Sequence, residues 1–558
     1  MIKIKLDLEK ILLILFFAIF LFLGPGTLFD HKIKHDFPFG YSASDAFQHQ
    51  VRAEAIKDAG NFKYEAAYIS KGIENVEGRY PPVIYHLSVI LSYTAGIEVY
   101  DSIYFIVSFF GVIAALIVYL IIRNLNKTVA MLSLPLSLLI FSFPVSIGYL
   151  WGHWPSIFSQ SFLILFFWSI MRMNMKQGYI LVALSLSATA LTHTSETIFA
   201  FVFLALFLVI KLIMKKLSKD DIKNMVLSFI IFFIISFYYL VIFMNTWAKQ
   251  SYKFMVQPIW EGNPGFYIAG FGLLLIPIIL GLVFALPKLK NAHVSLILGY
   301  AMLIGGFLNY AGFEVRSFQI RFFWPIYLAI FFGFGTYALF KLIIKKWNFI
   351  YTSIIFVVFI ILLSGTIELP ILKQTDIQNI PSIPQINRAS SQGMMDPFHW
   401  QALEWLSENT EQNSRIYFFY GDIYSQDALL RNSKRVHNQV DPEDFIKAIQ
   451  DKKIKRFYIS ELPGDTGGTI SKRTGIFSFE GVSQSIPHED HFGPQDICKF
   501  NYLIFDKASR QEVLAQYNLL IASDLIKNEY INPVFENEVI VILKNEDIEA
   551  DCIEERSF

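Results

Sequence analysis

Cysteine and charge are both scarce in this chain. Only Cys498 and Cys552 occur in its 558 residues, with no CxxC pair, which excludes a disulfide framework. Charged residues make up 17%, against about 25% in an ordinary soluble domain. That shortage excludes a disordered tail protein and a typical cytosolic enzyme. The formal net charge is zero, which excludes a generally basic nucleic-acid binder and leaves no nucleic acid among the expected partners. What is present instead is apolar: 54% hydrophobic residues, 16% aromatic, and a mean hydropathy of +0.45.

The average conceals two compositions. Residues 1–368 carry 28 Lys/Arg and 18 Asp/Glu, whereas 369–558 carry 19 and 29, so equal and opposite net charges of +10 and −10 cancel. The first part reads as membrane-embedded. The second has soluble composition and is long enough to bury a core of its own.

Apolar runs of the roughly 17–25 residues needed to span lipid fall at 10–28, 100–122, 128–147, 156–173, 178–193, 197–214, 225–244, 266–286, 292–311, 322–342 and 348–368, eleven in all. The first is too long for a signal-peptide core and reads as a retained anchor. The stretch 83–98 is short: as a helix it rises about 24 Å, less than a ~30 Å hydrocarbon core. Leaving it on the surface puts 17 Lys/Arg on one set of short loops and four (Lys249, Lys253, Arg316, Arg321) on the other. Letting it span would invert that bias. The positive-inside rule therefore predicts a cytoplasmic N-terminus, an external first loop at 29–99 with a surface helix, and an extracytoplasmic C-terminal domain. No internal repeat is apparent, and the sequon at Asn126 lies on a predicted inner loop.

The expected fold is thus a polytopic α-helical membrane domain over 1–368, with about eleven transmembrane helices, a linker over 369–395, and a soluble α/β domain over 396–558. In that last domain Asp396-Pro397 predicts a capped helix start with a stripe of Trp400, Leu403 and Leu406. Strands are predicted at 415–421, 455–460 and 534–543, with a helix after Asp441. The glycine-rich 464–468 lacks the Gly-Lys-Ser/Thr end of a P-loop and reads as a turn. His488 to His491 reads as a solvated loop.

The spans are almost free of charge, and polar residues collect on the predicted outer face, away from the midplane where a transporter concentrates them. In the first loop Asp45, His49 and Arg52 stand at i, i+4 and i+7, one face of a helix. They serve either as cap and solvated face, with Ser44 or Asp45 as the cap, or as a proton acceptor beside phosphate-holding groups. Next come Arg79 and the double proline 81–82, leading into Tyr85 and His86. Three further outer segments hold His153 (Trp151 to Pro155), His193 with Glu196 (Leu191 to Glu196), and Arg316 with Arg321 (Arg316 to Pro325). Each also has a structural reading: interfacial tryptophans, a helix start at Thr194 or Ser195, snorkelling arginines.

In this order and on one side of one membrane, these segments resemble the GT-C class of glycosyltransferases. That class includes lipid A aminoarabinose transferases, protein O-mannosyltransferases and the catalytic subunit of oligosaccharyltransferase. The resemblance covers about residues 10–340. An early acid in the first loop corresponds to Asp45. A basic-x-Pro-Pro lead-in to a surface helix corresponds to Arg79 through Tyr85. The Asp-x-Pro step resembles His153-Trp154-Pro155, the Ala-Leu-Thr-Lys-Gly segment resembles Ala190 to Thr194, and Arg-Tyr/Phe-x-x-Pro matches Arg321 to Pro325. The chain departs from the class at Ala46, where a second acid is common, and at His153 and His193, where Asp and Lys are usual.

The resemblance implies a polyprenyl-phosphate-linked sugar as donor, an extracytoplasmic glycan, lipid or protein as acceptor, and membrane lipid as surroundings. It implies Asp45 as general base and Arg321, with Arg316 or Arg79, as holder of the departing phosphate. It names no cofactor, and a divalent cation is the one it leaves open. Residues 402–410 resemble the segment before the Trp-Trp-Asp-Tyr-Gly motif of oligosaccharyltransferases, but Phe418-Phe419-Tyr420-Gly421 lacks its acid. That loss weighs against sequon recognition. The alternatives are an oligosaccharyltransferase-like block transferase and a non-catalytic transporter or glycan-binding relative.

Overall fold

The computed structural model describes residues 7–42, 44–60, 80–142, 145–246, 268, 270–291, 293–306, 324–365, 383–386, 393–419, 432–435, 500–507, 519, 522–523 and 525–550. In chain order the helices used below are α1 (Leu8–Leu23), α2 (Ser44–Ala59), α3 (Val83–Ala95), α4 (Val99–Arg123), α5 (Lys127–Ser133), α6 (Trp154–Ile170), α7 (Gly178–Ala190), α8 (Thr194–Ile213), α9 (Lys219–Thr246), α10 (Leu275–Ala285), α11 (Val294–Gly306), α12 (Trp324–Tyr327), α13 (Ala329–Ile343), α14 (Phe349–Leu363) and α15 (Pro397–Asn409). The strands are β1 (Ile416–Phe419), β2 (Tyr502–Asp506), β3 (Ile531–Glu536) and β4 (Ile540–Asn545).

Two compact units form. One comprises 1–34 and 78–391, the other 35–77 and 392–558. The first loop is thus divided: His35–Glu77 belongs with the C-terminal residues, and the rest with the membrane helices.

The first unit is helical and crosses a membrane. Five helices are long and apolar enough to span: Leu8–Leu28, Val99–Arg123, Thr194–Ile213, Lys219–Met244 and Gly272–Asn291. Shorter apolar helices occupy most of the other expected spans, at Lys127–Phe141, Trp154–Ile170, Gly178–Ala190, Val294–Ile304, Ala329–Ile343 and Phe349–Leu363, while Val83–Ala95 falls on the expected surface helix. The shortening has local causes. Pro135 removes an amide from the run after α5, and residues Leu134–Phe141 continue as a 3-10 helix.

Glu9 fixes the start of α1. Its buried carboxylate accepts from Tyr119, from Arg123 Nε at 2.6 Å, and pairs with Lys127 Nζ at 2.9 Å. At Asn126 the side chain caps α5 by accepting from Val129 N at 3.0 Å. Helices α10 and α13 approach so closely that glycine is required: a Cβ at Gly281 would lie 1.7 Å from the Phe331 carbonyl oxygen, and one at Gly335 1.7 Å from that of Pro277.

The second unit has a four-stranded sheet ordered β1-β2-β4-β3, with β1 parallel to β2 and the other pairs antiparallel. The single late strand expected over 534–543 is instead the hairpin β3–β4. Asn537 makes the turn, its side-chain oxygen accepting from Val539 N at 3.0 Å and Ile540 N at 2.8 Å. Strand β2, buried throughout, was not among the expected elements. Asp396 caps α15 as expected, accepting from Phe398 N and His399 N at 2.9 Å. The buried stripe of α15 is His399, Ala402, Leu403 and Leu406, so His399 takes the place expected for Trp400. The expected strand at 455–460, the helix after Asp441, and the segments 464–468 and 488–491 lie outside the described residues.

Candidate functional site

In the membrane unit three of the polar segments, those of α3, α6 and α8, meet near the first turns of α6 and α8. The double proline delivers α3 so that Val83 N donates to Leu191 O at 3.0 Å, which ties the surface helix to the loop carrying His193. Tyr85 is fully buried and His86 half-buried, and burial holds the His86 imidazole below its ordinary pKa. A His of lowered pKa is neutral at pH 7, so His86 offers polar contact there rather than charge.

His153 and His193 take equivalent places, each as the N-cap residue of its helix, α6 and α8. The expected cap at Thr194 or Ser195 is therefore displaced to His193, whose extended backbone starts the helix while its ring turns to the residue three ahead. That residue is Glu196, fully buried. Its carboxylate pairs with His193 Nδ1 and accepts from Ser156 Oγ at 2.6 Å and Gln160 Nε2 at 3.5 Å. A carboxylate three residues into a helix also meets the positive end of the helix dipole. Trp154, in the first turn of α6, donates from Nε1 to Tyr149 O at 2.7 Å and stacks on Tyr104 with ring centroids 5.5 Å apart. Tyr327 of α12 is also buried. Arg79, Arg316 and Arg321 lie outside the described residues.

The other three predicted site residues sit on α2, in the second unit. They share a helix but not an environment. Asp45 is exposed in the first turn, whereas His49 and Arg52 are each 6% exposed. Gln50 is fully enclosed; its Nε2 donates to Glu54 Oε1 at 2.6 Å and to Asn432 Oδ1 at 2.8 Å. The result is an exposed carboxylate on a helix whose residues His49, Gln50 and Arg52 are buried.

Sequence reasoning missed Ser156, Gln160, Tyr327, Gln50 and Asn432. A signal existed for two of them: Ser156 and Gln160 are polar at i, i+4 on an otherwise apolar helix. No group of three or more His, Cys, Asp or Glu among the described residues is placed to hold a metal ion.

No family model and no curated protein matches the chain. Solved structures do. The Archaeoglobus fulgidus oligosaccharyltransferase in its apo form is 12% identical, over 90% of this chain and 70% of that one, with a TM-score of 0.51. The same enzyme tethered to an acceptor peptide containing an NVT sequon matches over 97% and 74%, at 11% identity and a TM-score of 0.51. The arabinofuranosyltransferase AftD from Mycobacteria matches over 98% of this chain at 12% identity and a TM-score of 0.53. This chain spans only 40% of AftD. The fold is GT-C-like. At such identities the likeness shows the fold, so the roles of individual residues rest on their chemistry.

Proposed function

We propose that this GT-C-like protein is a membrane glycosyltransferase that moves a sugar from a polyprenyl-phosphate donor to an extracytoplasmic acceptor. Asp45 is the general base for the acceptor. The observation that carries the reading is the accessibility of Asp45 on α2 while Gln50, His49 and Arg52 around it are buried. The acceptor hydroxyl needs a base within hydrogen-bond reach, and a positioned base contributes typically 10²–10⁴-fold. On the donor side, Arg321 with Arg316 or Arg79 holds the phosphate that leaves, because a guanidinium matches the two oxygens on which charge develops. His153, His193 and Glu196 line the same donor-handling part, with Glu196 orienting the His193 ring. The N-terminus is cytoplasmic and the C-terminal domain extracytoplasmic, which supplies acceptors from outside and lipid-linked donors from the bilayer.

The test is donor turnover. The full chain in detergent is given a panel of polyprenyl-phosphate sugars and surface-glycan extracts, and mass spectrometry follows released polyprenyl phosphate. Wild type is expected to release it, and Asp45→Asn and Arg321→Ala to lose about 10²-fold or more. Release unaffected by both changes, or none with any donor, would overturn the proposal and favour a transporter or glycan-binding role. Likeness in fold to the oligosaccharyltransferase supports a second arm with a peptide containing Asn-x-Thr. Transfer to that peptide would establish the block-transferase reading in spite of the acid missing from Phe418 to Gly421.

A further inference from the structure

The helix carrying Asp45 is fastened by residues 382 positions further along the chain. Gln50 and Asn432 are 0% and 4% exposed, and a buried amide N–H left without an acceptor is costly. The bond from Gln50 Nε2 to Asn432 Oδ1 therefore fixes how α2 is rotated about its axis. At the far end of α2, Lys434 Nζ meets Asp58 Oδ2 at 2.7 Å.

The segment 432–435 is itself anchored. The Arg435 guanidinium donates to Ser407 O at 2.6 Å, Thr410 O at 2.7 Å and Thr410 Oγ1 at 2.8 Å. These groups close the C-terminal end of α15, where carbonyls lack partners within the helix. Helix α15 is tied in turn to β2, His399 Nε2 lying 3.4 Å from Asp506 Oδ2. At the near end of α2, Met394 N donates to Tyr41 O at 2.6 Å, and Tyr41 packs on Phe47 with ring centroids 5.1 Å apart.

We propose that Gln50, Asn432 and Arg435 are positioning residues for Asp45. The sheet and α15 form the seat on which the base is held, with segment 432–435 as the fastening. This rests on Asp45 being the base. The consequence is kinetic. A base misplaced by about 1 Å can lose on the order of 10²-fold in rate, while the donor, which Asp45 does not bind, keeps its affinity.

The experiment uses the full chain and the donor identified by turnover. Asn432→Leu removes the acceptor oxygen while keeping the branched side-chain skeleton, and Asn432→Asp restores an oxygen facing Gln50 Nε2. Asn432→Leu is expected to lower kcat about ten- to hundred-fold with donor KM unchanged, and Asn432→Asp to recover most of the rate. The double variant with Asp45→Asn is expected to be no slower than Asp45→Asn alone, because both changes act through one group. Full kcat in Asn432→Leu, a rise in donor KM without loss of kcat, failure of the Asp variant to rescue, or independent multiplication of the two losses would overturn the inference. If Asn432→Leu does not accumulate, Arg435→Lys supplies the same comparison, since one ammonium cannot reproduce the fork to Ser407 and Thr410. An inactive Asp45→Asn beside a fully active Asn432→Leu would sink only this inference. An active Asp45→Asn would sink the underlying reading of Asp45.

Discussion

Raising the pH from 6.5 to 9.5 should loosen α15 from the sheet, and the amount follows from one side chain. His399 is almost wholly buried, with Nδ1 2.6 Å from Asp396 Oδ2 and Nε2 3.4 Å from Asp506 Oδ2. Burial alone would lower its pKa. The hydrogen bonds and charges of Asp396 and Asp506 outweigh burial and raise it from the ordinary 6.5 to about 9. A His whose pKa is raised by folding contributes stability that is complete below its unfolded value and is lost as pH rises through the folded one. At 1.36 kcal/mol per unit the contribution is about 3 kcal/mol, present in full below pH 6.5 and gone above about pH 9.

The assay is native-state hydrogen exchange on the full chain in detergent, corrected for the intrinsic pH dependence of exchange. Protection of amides in α15 and β2 is expected to fall by about two orders of magnitude across this window. In His399→Gln the profile should be flat. Equal slopes in the two proteins, or protection that rises with pH, would refute the argument. On the acid side the sign reverses: burial works to raise the Asp396 pKa, but its bonds from His399 and the α15 amides hold it below the ordinary value. Its contribution is present above the unfolded carboxylate range and lost as pH falls through the lowered one.

Two further outcomes concern the membrane unit. Gly281→Ala or Gly335→Ala should push α10 and α13 apart, because each new methyl meets a backbone carbonyl; a loss of about 1–3 kcal/mol should appear as a lower melting temperature in detergent. Gly299→Ala, whose Cβ would meet the Ile330 side chain at 3.2 Å, should be milder, and equal melting temperatures would contradict this. Ser156→Ala removes the donor 2.6 Å from the buried Glu196 and should destabilise by about 1–3 kcal/mol. Ser156→Thr, which keeps the hydroxyl, should lose less, and thermal unfolding of the pair checks it.

The membrane helices were legible because a span is written in a long apolar run and needs no partner to be recognised. Their exact lengths were not, since the change to a 3-10 helix at Pro135 is a matter of backbone geometry rather than composition. The cap of α15 was legible because Asp396-Pro397 is a local signal. The hairpin at Asn537 was not: an asparagine inside a β-rich run reads as an interruption, and only its two amide partners reveal a turn. At the candidate site, residue types were readable and environments were not. Helical spacing placed Asp45, His49 and Arg52 on one helix, but it could not show that Asp45 is exposed while His49 and Arg52 are buried, nor that Gln50 between them bonds to Asn432, far along the chain. Likewise Thr194 and Ser195 are ordinary caps, yet the N-cap position is taken by His193, whose ring meets Glu196.

The two units carry different kinds of polar group, and the difference predicts which kinetic constant each controls. Glu196 in the membrane unit is a carboxylate closed off by Ser156, Gln160 and His193, with no exposed surface through which to accept a proton from an incoming hydroxyl. Its bonds are suited to hold a ring still. Asp45 is the opposite case, an exposed carboxylate whose supporting residues are buried in place of it. A base has to be reachable by the group it deprotonates, which is the ground for proposing Asp45 rather than Glu196 in that role. On the proposed mechanism, changes around Gln50 and Asn432 act on the acceptor step and lower kcat. Changes at Ser156 and Glu196 act on the groups that meet the donor and raise its KM.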